Sequence, residues 1–441
     1  MKNDKMRRKF KKEYIPIYLL FGSLLTFSTR GFQEAQENLF NMGNLVRYIA
    51  LPTFYLYTFH LCYKKRFIYI PKIPIALKFL LLYWLIGAVS LLGAKWLTYS
   101  LVKWVEYFQL FFLSYYVLNM ERDNPGFTKE IYEIIIKFFE FLMITVLIGV
   151  ILSPTKALYI GSSELSALKN ATIPFRLSGY LIPVTSTSVG FLSAILLYTY
   201  LVKKSFGEKV KNYKFKMIIT ITFVITAQAR MAVLGLAIAI IIYYLIINRN
   251  TRKKLIFLCF VFWGFIIVGP TIFNVLLRGQ DSSQLFSLSG RLEWWSYALE
   301  VYKKSSIFEK IFGQGFAGGE KVVAAQSNGA MYTLDSELIG SLISTGLLGT
   351  SFIVIAIISL IIMLLFTKRK ITLSSININR GYISQLIGIM IILVIRMITT
   401  NTFSILSYYS VLFVGCILVT RGILREIKDE SRNRKNYNRS I

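Results

Sequence analysis

The 441-residue chain has one histidine, three cysteines and 22 acidic residues. Charged residues make up 17% of it, where a soluble domain carries about 25%. Each shortage excludes something. The only histidine, His60, falls at the expected cytoplasmic end of an apolar span, so no histidine-based chemistry is available outside. Its plain reading is an interfacial amphipathic residue. Cys62, Cys259 and Cys416 sit in or beside apolar runs, without the paired spacing that zinc or redox chemistry needs, and they outline no disulfide framework. No Asp-x-Asp cluster is present, so neither a divalent metal nor a cofactor is expected. There is no internal repeat and no low-complexity segment.

What the chain has instead is apolar length. Hydrophobic residues make up 55%, aromatic residues 15%, and the mean hydropathy is +0.56. This excludes disorder. A helix needs about 20 apolar residues to cross a bilayer. Such runs lie near 14–29, 43–62, 79–94, 98–118, 134–152, 182–202, 217–229, 231–247, 255–275, 337–366, 382–398 and 402–420. They do not alternate as barrel strands would. The fold class is therefore an all-α polytopic membrane protein with about twelve transmembrane helices. Its net charge of +29 would suggest nucleic acid, but the charges lie where topology wants them. The N-terminus, 63–78, 119–137, 203–216, 248–254, 367–380 and the C-terminus hold 36 of the 51 basic residues. Cytoplasmic loops carry that excess. Both termini are therefore expected in the cytoplasm, and no nucleic-acid partner is.

The stretch 215–247 could pass as one tilted span. Both of its flanks are basic, however, with Lys209, Lys211, Lys214 and Lys216 before it and Arg249, Arg252, Lys253 and Lys254 after it. Two short helices breaking near Ala227-Gln228-Ala229-Arg230 keep both clusters inside, and they spare Arg230 the cost of a charge at mid-bilayer. The first run follows a basic stretch from Lys2 to Lys12, like a signal peptide, but no small-residue cleavage site follows it, so it is read as a retained span. The expected organisation is one integral membrane domain over 1–441. It includes an outer loop at 153–181, a large outer loop at 276–336 with amphipathic helices between spans nine and ten, and a basic cytoplasmic tail at 421–441. Within the large loop, Leu292, Trp295, Leu299 and Tyr302 recur at helical spacing over Gly290–Lys304. A loop this long in a compact protein suggests function.

Two motifs lose their usual meaning here. Gly313-Gln-Gly315-Phe-Ala-Gly318 has the glycine spacing of dinucleotide sites, but it lies in an outer loop and reads better as a tight turn between two outer helices. Asn170-Ala-Thr172 is only formally a glycosylation acceptor. More informative are seven arginines near the outer edge: Arg30, Arg47, Arg176, Arg230, Arg278, Arg291 and Arg396. The guanidinium fork pairs bidentately with phosphate oxygens. Snorkelling to headgroups is the plain alternative. The outer acids include Glu293, Glu320, Asp335 and Glu337. Asp335 and Glu337 open a span, where they could cap the helix or act as a surface base. Lys103 and Glu106, at i,i+3 within the fourth span, can pair.

Four segments, in order, resemble the superfamily of O-antigen polymerases (Wzy-type) and O-antigen ligases. Phe175-Arg176-Leu-Ser-Gly179-Tyr180 is similar to the family's Arg-x-x-Gly-aromatic segment, with Ile182-Pro183-Val184 in place of its Asn-Pro-Asn. Thr226-Ala-Gln-Ala-Arg230-Met-Ala232 resembles the Ser-Arg-Gly/Thr-Ala between two short helices. Ser289-Gly290-Arg291-Leu292-Glu293-Trp294-Trp295, then Ile311-Phe312-Gly313-Gln314-Gly315, resembles Gly-Arg-x-x-x-Trp and Phe-Gly-x-Gly. Asp335-Ser336-Glu337-Leu338, then Thr345-Gly346-Leu347-Leu348-Gly349, resembles His-Asn-x-x-Leu and Gly-Leu-Leu/Ile-Gly.

The resemblance implies an enzyme of the bacterial cytoplasmic (inner) membrane with its active site facing outward. Donor and acceptor would be undecaprenyl-pyrophosphate-linked oligosaccharides, and a chain-length regulator is a further candidate partner beside the bilayer. Arg176, Arg230 and Arg291 would bind the donor pyrophosphate; Asp335, or failing it Glu337, would be catalytic. Ligases of this family carry histidine where this chain has Asp335, so the resemblance favours a capsule or O-antigen repeat-unit polymerase. An O-antigen ligase and a lipid-linked oligosaccharide flippase are the alternatives.

Overall fold

The computed structural model describes residues 12–26, 44–67, 71–159, 175–247, 251–260, 263, 291–327, 334–373 and 378–440. The Lys2–Lys12 stretch before Lys12, the Asn170 acceptor motif, Arg30, Arg278 and much of the 255–275 run lie outside them. The described residues form an all-α bundle. Its helices are α1 (Ile15–Leu24), α2 (Leu45–Lys64), α3 (Ile75–Ser90), α4 (Leu97–Asp123), α5 (Phe127–Leu152) and the short α6 (Pro154–Ala157). After a two-residue hairpin pair come α7 (Ser186–Ser205), α8 (Tyr213–Thr226) and α9 (Arg230–Ile247). Residues 251–260 are helical. Then follow α10 (Arg291–Lys304), α11 (Ile307–Phe312), α12 (Gly319–Gln326), α13 (Glu337–Leu373), α14 (Ile378–Met397) and α15 (Tyr408–Ser440).

Helices thus fall on the expected spans, but among the described residues five are long and apolar enough to cross a membrane by length and composition: Ile75–Gly93, Phe127–Leu152, Ser186–Ser205, Glu337–Ile371 and Asn379–Met397. At 10 and 14 residues, α1 and α8 are shorter than a bilayer crossing needs. Others carry charge, as α4 does with Lys103 and Glu106. The outward faces are apolar. On α13, Ile355, Ile358, Ile362 and Leu365 form an exposed stripe, where a protein in water would present polar side chains. The most enclosed of the five is α7, with 83% of its apolar window buried. It starts at Thr185, whose hydroxyl accepts the Ser188 N–H. At the far end of the bundle, basic residues pair with acids on neighbouring helices: Lys203 with Glu133, Lys216 with Glu140, and Lys129 with Glu426.

Two breaks shape the other end. Between α8 and α9 the chain turns at Ala227–Ala229, with Gln228 in left-handed conformation (φ 49°). The sequence expects its break there. Within α13, Gly346 adopts φ 67°, and a Cβ there would lie 2.3 Å from the Ile311 carbonyl oxygen. Glycine therefore lets α11 abut the kink and divides α13 into an outer stub and a long apolar helix.

The 313–318 segment does join two helices, α11 and α12, but it is more than a turn. Gly315 (φ 114°) is pressed against Ala94 and Ser100, and this close approach sends Phe316 into the bundle. The ring is fully buried, 5.5 Å from those of both Tyr83 and Tyr107. Phe316→Ala is expected to cost about 3–5 kcal/mol. Thermal unfolding in detergent checks this; an unchanged melting temperature would mean the plug carries no load.

The helix α10 forms where the apolar spacing places it, but buries a different stripe. Leu292 and Leu299 are exposed. Ala298 and Val301 are buried instead, against Val322, Val323, Leu334 and Ile343. The small Ala298 lets α10 sit close to α12 and α13, a preference that counting large apolar residues does not capture.

Candidate functional site

The 291–327 segment, the start of α13 and the α8–α9 turn position the five residues singled out in the sequence. Arg291 opens α10, and its guanidinium donates to the Asp335 carboxylate at 3.2 and 3.4 Å. One turn on, the Trp295 indole donates to the Leu334 carbonyl at 3.0 Å. Residues four apart on one helix face therefore clamp 334–335. The clamp holds Asp335 at φ 39°, a left-handed conformation uncommon for a non-glycine residue. Among the described residues, the Asp335 carboxylate accepts from Arg291 and from no backbone N–H, so it does not cap α13. Its side chain and that of Arg291 remain 30% and 23% exposed, open enough for a ligand to reach both.

Glu337 has a different environment. It is fully buried, and its carboxylate accepts from the backbone N–H groups of Thr402, Phe403 (2.9 Å) and Ser404 (2.7 Å). The same loop is held through its carbonyls. The Tyr83 hydroxyl donates to Ser404 at 2.9 Å and that of Tyr107 to Phe403 at 2.7 Å. Arg396 donates to the Asn401 carbonyl and the Thr402 hydroxyl, each at 2.7 Å, while its guanidinium lies 3.6 Å from the Tyr409 ring centroid. Glu337 and Arg396 thus fix loop 399–404.

That loop presents Asn401, whose side-chain amide donates to Glu320 at 2.9 Å. Glu320 also accepts a backbone hydrogen bond from Leu334. Part of its surface stays exposed, yet the carboxyl is packed deeply enough to lose hydration. Burial first, and the charge of Asp335 second, push its pKa up to about 7. Glu320 is thus a carboxylate beside Asp335 that titrates near neutrality, where a general base works best. Sequence reading finds it only as one outer acid among several. Its place after Phe-Gly-x-Gly is a signal, but Asn401 lies 81 residues away and nothing local joins them.

The other two arginines meet at the α8–α9 turn. The Gln228 side chain donates to the Phe175 carbonyl at 2.8 Å. This lays the strand Arg176–Leu177 against the turn that leads into Arg230; the strand pairs with Leu158–Tyr159. The turn packs on α7, with Ala229 directly against Gly190. One residue on, Phe191 lies 5.9 Å from the Arg396 guanidinium. Contacts therefore run from the Arg176–Arg230 turn through α7 and Arg396 to the 399–404 loop and the carboxylates. Of the seven arginines singled out in the sequence, Arg47 donates to Glu106, Arg396 to loop 399–404 and Arg291 to Asp335. The structure thus brings Arg176 and Arg230 to the two sides of the Gln228–Phe175 bond and Arg291 to Asp335.

The model of a family described as O-antigen ligase matches residues 215–354. The resemblance to that family is thereby shown. No curated protein matches the chain. The matched segment runs from α8 past the Gly346 kink, so it contains Arg230, Arg291, Glu320, Asp335 and Glu337. Arg176 and Arg396 lie outside it. The family and the apolar helices together describe a multi-pass membrane protein, and both ligase and polymerase chemistry are compatible with the match.

Proposed function

We propose that the protein is a polysaccharide polymerase that joins undecaprenyl-pyrophosphate-linked oligosaccharide units at the outer face of the bacterial cytoplasmic membrane. The observation that carries the proposal is the Arg291–Asp335 pair within the matched segment. It sets a guanidinium that can meet a leaving pyrophosphate beside a carboxylate that can take a proton. The aspartate, where ligases carry histidine, favours polymerase over ligase.

In the reaction, the bond from the donor's anomeric carbon to the pyrophosphate oxygen breaks. A bond from that carbon to the acceptor hydroxyl oxygen forms. Lipid pyrophosphate leaves with the electron pair, and Arg176, Arg230 and Arg291 stabilise its charge, so no divalent metal is needed. The acceptor proton passes to Asp335, with the Glu320 carboxylate beside it. Glu337 has its oxygens occupied by the 402–404 backbone and serves as a positioning residue.

The topology that belongs to this reading is one integral domain with twelve spans, both termini cytoplasmic and 276–336 outside. Reporters fused after Lys216 and after Arg252 are expected to read cytoplasmic; opposite answers would break the α8–α9 hairpin assignment and move Arg230 to the wrong side. The function itself is tested with purified protein and a synthetic lipid-linked repeat unit. Longer lipid-linked products support polymerase. Transfer only to a lipid A core would make the protein a ligase, and movement across vesicles without new bonds a flippase.

A further inference from the structure

A second cationic cluster lies on the other face of α12. Arg47, in the first turn of α2, donates through Nε (2.9 Å) and Nη2 to both oxygens of the buried Glu106 on α4. Lys103, one turn before Glu106, donates to the same carboxylate at 3.2 Å. Its ammonium lies 5.7 Å from the Tyr99 ring centroid, and that of Lys321, on α12, lies 3.9 Å from the same centroid. Among the described residues no carboxylate pairs with Lys321. Two cations, Arg47 and Lys103, therefore share one carboxylate, and two, Lys103 and Lys321, share one aromatic ring.

The cluster faces outward and is shielded. Arg47 and Lys103 are each 19% exposed. Beneath them Trp84 and Trp104 stack at 4.3 Å, and each indole donates to the other residue's carbonyl. Such a platform is rigid, and it holds like charges together at low hydration. The arrangement is stable alone only to the extent that Glu106 and the rings compensate it; a polyanion would complete it. Burial also depresses the pKa of Lys321, which an anionic ligand would reverse.

Adjacent helical residues point about 100° apart. Glu320 accordingly turns to Asn401 and Leu334, at the Asp335 site, while Lys321 turns to Tyr99. Tyr99 feels the charge of Glu320 as well as that of Glu106, so the two clusters adjoin along α12. A polymerase has two lipid-linked substrates, each with its own pyrophosphate, and the three arginines answer for one. We propose that Arg47, Lys103 and Lys321 form a second phosphate-binding site, which holds the pyrophosphate of the acceptor lipid while its sugars reach across α12 to Asp335. This rests on the polymerase reading for the role of the ligand, though not for the existence of the site. A phospholipid headgroup offers the same phosphate chemistry, and the experiment separates the two.

Purified full-length protein in detergent micelles is titrated with undecaprenyl pyrophosphate carrying no sugar. Wild type is expected to bind two equivalents. Lys321→Gln weakens one of them about tenfold, the loss of one charge-assisted hydrogen bond, and Lys321→Glu removes it. Lys321→Arg, which keeps a cation over the ring, retains both. Two unaltered equivalents in the Gln and Glu variants, or a loss in the Arg variant equal to that in Gln, overturns the site. Displacement of the Lys321-dependent equivalent by equimolar phosphatidylglycerol overturns the pyrophosphate assignment. Arg230→Ala is expected to remove the other equivalent. If it retains two while Lys321→Glu retains one, the donor-site assignment fails and the second site stands.

Discussion

Arg230→Ala and Arg291→Ala are each expected to abolish polymer while leaving the protein in the membrane at wild-type levels. Removing one well-placed donor to a developing oxyanion costs about 10²–10³ in rate, and chain growth multiplies that loss over every added unit. The two variants should differ in kind. Arg230 opens α9 beside the Gln228–Phe175 bond, away from Asp335, so its loss withdraws charge from the donor site. Arg291 also holds Asp335, so its loss frees that carboxylate from its clamp as well. Arg291→Lys keeps a charge but not the planar fork, and it should recover little. Size-resolved polysaccharide from cells carrying each variant, with the protein quantified in the same membranes, checks this. Normal chain lengths in both alanine variants would refute the assignment of the outer arginines.

What sequence could and could not foresee follows from the range of the interactions. The α8–α9 break was legible because charge placement is a local record of topology: basic residues flank both ends of 215–247, and the structure turns at Gln228. The helix α10 was legible from its periodicity. Its packing face was not, because Ala298 matters through what it lets approach, not through its own hydrophobicity. The roles of Asp335 and Glu337 were open between cap and base. Their separation depends on partners far along the chain: Arg291 is 44 residues from Asp335, and Thr402 is 65 from Glu337. Arg396 illustrates the same limit. Its position near an outer edge made it look like the other arginines, and only the fold shows it turned inward to hold loop 399–404.

Asp335→Asn is expected to lower the polymerisation rate by about 10²–10⁴, the usual worth of a positioned base. The more telling variant is Glu320→Gln. As pH falls through about 7, Glu320 takes up a proton and its negative charge at the site is lost. The wild-type rate should therefore fall on the acid side of pH 7. In Glu320→Gln the limb near 7 should disappear, and the plateau rate should drop. Stability supplies a second readout with a fixed sign. A carboxyl whose pKa is raised on folding favours the folded state at low pH, and that contribution is lost as pH rises through about 7. Glu320→Gln should thus melt higher than wild type at pH 8.5, with the gain shrinking toward pH 5. Glu337→Gln separates positioning from basicity: it should loosen loop 399–404 and lower the melting temperature at every pH, while the acid limb of whatever activity survives stays near 7. If instead Glu337→Gln shifts the limb and Glu320→Gln leaves it in place, the proton acceptor is Glu337, and the Asp335–Glu320 pair is a structural contact.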